Sequence, residues 1–177
     1  MGCIQTSIEC MARTLIDNFI RQLHELHTGS LWFDQCFQDK LAGLSETDAF
    51  VRPLGQIHSV AEHISHILAW RRECLLRFQG ERTDLMNSPE DWRRMEELRT
   101  IGWTRLTSGL EESKLQLINA LTHQNDDFLQ TPFLDTGYNF LYLMEGIIHH
   151  DVYHLGQIGI TIKLLKDAKF MRQHPSE

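Results

Sequence analysis

The chain has 177 residues, 42% of them hydrophobic and 23% charged, a length and composition that suit one globular domain over residues 1–177 with a sizeable core. Its formal charge of -7, with 17 Lys and Arg scattered rather than gathered into a stripe, gives no electrostatic footprint for nucleic acid. Cys3, Cys10, Cys36 and Cys74 form neither CxxC pairs nor a disulfide framework, and no apolar run approaches the roughly 18 to 20 residues of a membrane span, so a soluble cytoplasmic protein with reduced thiols and no membrane partner is expected.

At the start, Met1-Gly2-Cys3-Ile4-Gln5-Thr6 fits the M-G-x-x-x-[ST] myristoylation pattern. The same stretch holds Thr6-Ser7-Ile8-Glu9, a T-x-x-E capping box, and the helix start is the favoured reading. From Ile8 the apolar positions Met11, Leu15, Phe19, Leu23 and Leu26 keep a three-and-four spacing, which predicts a first helix of about five turns ending near Gly29. Trp32 to Gly55, with Gly43, Ser45 and Pro53, reads as a short helical piece and a connection.

Ser59-Val60-Ala61-Glu62 is a second capping box, so helix two is expected from there to about Gly80, with Val60, Ile64, Ile67, Leu68, Leu75 and Phe78 at helical spacing and His66 in its second turn. Gln79 to Glu97 is polar. Within it Ser88-Pro89-Glu90-Asp91 predicts a short helix start, with a cap, a first-turn proline and acidic residues. The connection as far as Trp103 is long enough to cross a bundle, so helices two and three need not be antiparallel neighbours.

Helix three carries Trp103, Leu106, Leu110, Leu117 and Leu121 and stops before His123 to Asp127. Pro132 and Gly137 mark the last loop, and helix four runs from about Asn139 to Lys166. It has two apolar stripes: Leu143, Ile147, His150, His154 and Ile158, and Leu141, Met144, Ile148, Val152, Leu155 and Ile162. Such a helix is central or shared with another subunit, and Gly156 and Gly159 within it read as points where a neighbouring helix approaches closely. No strand pattern or repeat is visible, and the class is all-α.

Of ten histidines, His24, His27, His123 and His174 fall at expected helix ends, exposed positions or the tail and read as solvated. His150 and His154, four apart and about 40° around a helix, present both rings on one face within reach of one ion. His149 lies about 140° from His154 and points elsewhere. The pair sits in an apolar stripe where unliganded rings would need partners for their nitrogens, which favours a divalent metal. His63 and His66 on helix two are both candidates for a third ligand, and spacing alone leaves that choice open.

Two segments decide it by likeness. Ser59-Val60-Ala61-Glu62-His63-Ile64-Ser65-His66-Ile67-Leu68-Ala69-Trp70 and His150-Asp151-Val152-Tyr153-His154-Leu155-Gly156-Gln157-Ile158 resemble the second and fourth helices of the DinB superfamily. The resemblance implies an up-down-down-up four-helix bundle with a long crossover between helices two and three. It also implies a homodimer and a site of His66, His150 and His154 holding zinc, nickel or a similar ion, with His63 as a flanking residue.

Three neutral imidazoles leave coordination positions open, so a bound water would be acidified to a pKa of about 7, or a thiol bound as thiolate. The resemblance implies a metal-dependent hydrolase or a low-molecular-weight-thiol S-transferase acting on a small-molecule substrate, in the latter case with a thiol cosubstrate. No general base is evident. Glu62 is taken by capping, Asp151 lies about 80° off the ligand face, and Gln157 is placed to orient a ligand or water. A non-catalytic, metal-stabilised dimeric module is the alternative. A zincin-like protease fits less well, because His150-Asp151-Val152-Tyr153-His154 has Asp where H-E-x-x-H has Glu.

Overall fold

The computed structural model describes residues 13–81, 83–134 and 136–173, and its regular elements there are helical, with one isolated bridge between Pro132 and Asn139. Helix α1 (Thr14–Thr28) buries Ile16, Phe19, Leu23 and Leu26. Leu15, at 39% exposure, falls off that face. The expected Thr6 cap, Ile8, Met11 and the myristoylation pattern lie outside the described residues. The start of α1 is capped from a distance, since the Asp126 carboxylate accepts from the backbone N–H of Leu15 and Ile16 at 3.0 Å. In return Arg13 donates to the carbonyls of Thr122 and Gln124.

Two short helices follow where one piece was expected, α2 (Phe37–Leu41) and α3 (Glu46–Ala49), capped by Cys36 with Asp39 and by Ser45. Helix α4 (Val60–Phe78) opens on the predicted box. The Ser59 hydroxyl accepts from the Glu62 N–H at 3.2 Å, and the Glu62 carboxylate accepts from the Ser59 N–H at 2.8 Å.

Ser88-Pro89-Glu90-Asp91 does not begin a helix. It closes a single turn, with Asp91 N–H donating to the Ser88 carbonyl at 3.1 Å, and the next helix, α5 (Met95–Ile101), starts four residues later. The reason is tertiary: the Asp91 carbonyl and carboxylate are committed to side chains of α4 instead of continuing a helical ladder. Gly102 then redirects the chain at φ 84 and ψ 152, a conformation open to glycine, into α6 (Trp103–Thr122).

After α7 (Asp126–Gln130) the turn around Gly137 is held by Phe133 N–H to the Tyr138 carbonyl and Phe140 N–H to the Thr131 carbonyl, each 3.1 Å. Asn139 caps α8 (Phe140–Gln173), which runs past the expected end at Lys166. Helix α4 packs on α6 and α8, and α1 on the same two. Their shared core includes Ile64, Ile67, Leu117, Met144, Leu155 and Ile158. The close helix approach is at Gly109, where a Cβ would meet Leu68 at 3.0 Å. At Gly156 a Cβ would meet nothing within 4 Å, so no helix of this chain approaches there, whereas at Gly159 it would meet the Lys40 side chain of α2 at 3.0 Å, a close approach of a neighbouring helix as expected.

Among the described residues no helix is long and apolar enough to cross a membrane. At the centre, Arg71 and Asp151 are both fully buried. The guanidinium donates to Asp151 at 2.7 and 3.0 Å, to the Leu110 carbonyl at 3.0 Å and to the Ser113 hydroxyl at 3.1 Å, which ties α4, α6 and α8 together.

Candidate metal centre

His66 from α4 and His150 and His154 from α8 come together, one nitrogen of each lying within 4.8 Å of the others. The Nε2 atoms of His66 and His150 are 3.0 Å apart. Two imidazole nitrogens on one tetrahedral zinc are separated by about 3.3 Å, close to the His66–His150 distance, so the three rings could hold an ion.

The outward nitrogens of His66 and His154 have partners, and that of His150 has none. The His66 Nδ1–H faces two acceptors, the Asp91 carbonyl at 2.8 Å and its carboxylate at 3.0 Å, and must carry the proton. Its Nε2 lone pair is thereby left for the cluster, the arrangement that orients metal-binding histidines in general. Trp70 donates to the same carboxylate at 2.8 Å. The Nδ1 of His154 lies 3.3 Å from His63 Nδ1. His150 Nδ1 is buried without a partner, 4.0 Å from Asp151.

Burial first, and then the charges of His150, His66 and His63, lower His154 to about 3. His66 is lowered too, by burial first, with the hydrogen bond to Asp91 pulling the other way. His63 is lowered to about 4, again mainly by burial. Neutral rings at neutral pH are the form a divalent ion binds.

His63 is therefore more than a flanking residue: it is buried and supports His154 from behind. Trp92 was not foreseen at all. Its indole lies between two imidazoles, stacked on His58 at 3.9 Å and on His66 at 4.0 Å, each at 12°. Asp91 was missed as a partner because its sequence context resembles a helix cap, and only the folded chain brings it to His66. His149 is exposed rather than packed on another helix of the chain.

The nearby carboxylates are already engaged. Burial alone would raise Glu62, but hydrogen bonds from Arg52, Ser59 and His58 outweigh it and hold the carboxyl at about 2. Asp151 is bound through its Oδ2 to Arg71 in the core, and its Oδ1 lies 4.0 Å from His150 Nδ1, behind the ring, on the side opposite the Nε2 that faces the cluster. Gln157 lies beside His154 with its Oε1 buried and unpartnered.

No curated protein matches the chain. Residues 36–158, a span that includes all three clustered histidines and Asp91, match the DinB superfamily. That span is more than half of the sequence, and the chain belongs to the DinB superfamily.

Proposed function

We propose that this chain is a metal-dependent enzyme in which His66, His150 and His154 hold a zinc or nickel ion, and that it acts on a small molecule as a hydrolase or low-molecular-weight-thiol S-transferase. The observation that carries this reading is the convergence of three histidine nitrogens, with His66 oriented by Asp91 so that its Nε2 lone pair points inward. His66, His150 and His154 would hold the ion, which when bound would supply the acidification of a water or thiol.

The chain's own groups then have distinct tasks. Asp91 and His63 hold the His66 and His154 rings in place. Trp92 covers one face of His66, which limits water on that side. Gln157, whose carbonyl oxygen is buried beside His154, is placed to accept a hydrogen bond that orients that ring or the incoming nucleophile. Glu62 and Asp151 play no part as bases, being held by Arg52 and Arg71.

We further propose an up-down-down-up arrangement for α1, α4, α6 and α8, supported by the long connection between α4 and α6, and a homodimer formed on α8. Support for the dimer comes from the outer face of α8, where Val152, Tyr153 and Ile160 are 37%, 63% and 62% exposed beside the open Gly156. Apolar groups grouped in this way on one helix face mark an interaction surface.

Metal analysis of untagged protein tests the central reading. The expected result is stoichiometric zinc or nickel in the native chain and its loss in His66→Ala and His150→Ala, with metal-dependent turnover in thiol-conjugation or ester-hydrolysis assays. Stoichiometric metal in both variants would overturn the site. Metal that raises the melting temperature of the protein but supports no turnover in either assay would overturn the enzymatic part and leave an ion that staples α4 to α8.

A further inference from the structure

Next to the histidine cluster lies a cavity of about 220 Å³ between α4, the turn before α8, and α8 itself. Trp70, Phe133, Tyr142 and Ile147 are among its walls, and His150 lines it where it meets the cluster. We propose that this cavity is the subsite for a flat, uncharged apolar group of the substrate, an aromatic ring in the simplest case, whose reactive end reaches the ion at His150, and that Gly146 sets its size. The proposal rests on the metal reading above.

Size fits first. An apolar cavity of about 150 Å³ is enough to take benzene, so the space here holds a ring with a substituent. The walls carry no charge that is not already compensated at close range: the Arg77 guanidinium is 2.7 Å from Glu73 and lies over the Phe133 ring at 5.6 Å. Cys74, also in the wall, is pushed up to about 12 by burial and stays a neutral thiol. A charged substituent would find no free counter-charge among these groups, whereas a ring finds aromatic faces.

Gly146 lies one turn before His150 on α8, and a Cβ built there would meet nothing within 4 Å. Glycine inside a helix costs about 1 kcal/mol relative to alanine, and no close contact here requires it. What it leaves is room, since the space is the cavity itself. At the rim, Tyr138 and Tyr142 are exposed and stack on each other at 4.3 Å and 11°, an aromatic surface that continues the walls outward.

The test uses two hydroxamates that grip a metal through the same group but differ in their tails. On the zinc-loaded full chain, benzohydroxamic acid is expected to bind about tenfold more tightly than acetohydroxamic acid, because its ring buries apolar surface in the cavity. Gly146→Leu improves helix propensity, so the variant should fold. It should keep its zinc and its affinity for acetohydroxamate while the ring's advantage shrinks to about twofold or less. Equal binding of the two compounds by the native chain, or an advantage unchanged in Gly146→Leu, overturns the subsite while leaving the metal reading standing. A chain that retains no zinc and binds neither compound overturns both.

Discussion

His27 occupies the next-to-last position of α1, where sequence position alone suggests a solvated ring, yet it is only 4% exposed. It belongs to the same buried face as Leu23, four residues earlier, and packs on Phe37 with ring centroids 5.5 Å apart. Its Nε2 has no partner, and its Nδ1 lies 3.6 Å from the Glu111 carboxylate, which Lys114 also engages. Burial first, and then the positive charges of Arg71, Lys114 and His24, push it down to about 2. The unfolded chain takes up this proton near the ordinary value of 6.5, whereas the folded chain does so only near 2. The stability it contributes is therefore complete above pH 6.5 and is lost progressively as pH falls below that, by up to about 1.4 kcal/mol per pH unit. Urea unfolding between pH 7 and pH 4 should show the native profile falling more steeply than that of His27→Leu. Parallel profiles would mean that the His27 ring is hydrated in the folded protein.

Among the elements, α4 and α8 show two different relations between pattern and packing. Helix α4 starts where its Ser-x-x-Glu box says, because both bonds of the box are local and form as soon as the first turn does. The two stripes of α8 match burial on the inner side, through Ile147, His154 and Ile158 and through Met144, Ile148 and Leu155. On the outer side Val152 and Ile160 face solvent, and the space over Gly156 is empty rather than filled by a helix of the same chain. A second copy is the occupant we propose for that face. Light scattering after gel filtration should give a dimer for the native chain and a monomer of unchanged helicity for Ile160→Glu, since a carboxylate buried in an apolar interface lacks a partner. A dimer that survives the substitution would remove α8 from the interface.

The whole molecule is organised around Arg71 and Asp151, whose charges are cut off from water, the guanidinium bonding Asp151 Oδ2 and α6 while Asp151 Oδ1 is buried without a partner. Removing one partner of such a pair leaves a buried charge, so Arg71→Leu should lower unfolding stability by about 3 to 5 kcal/mol, and Arg71→Leu with Asp151→Leu should recover much of the loss. Denaturant unfolding of the two variants checks this, and a double variant no more stable than the single one would show that the pair is not the source. Helical class, the first turn of α4 and the shared face of His150 and His154 were legible from the sequence, because each depends on contacts within four residues along the chain. The pairing of His66 with Asp91, the sandwich of Trp92, the burial of His27 and the support of His154 by His63 join groups from different elements. No local pattern encodes those contacts, so only the packing of α4, α8 and the intervening turn decided them.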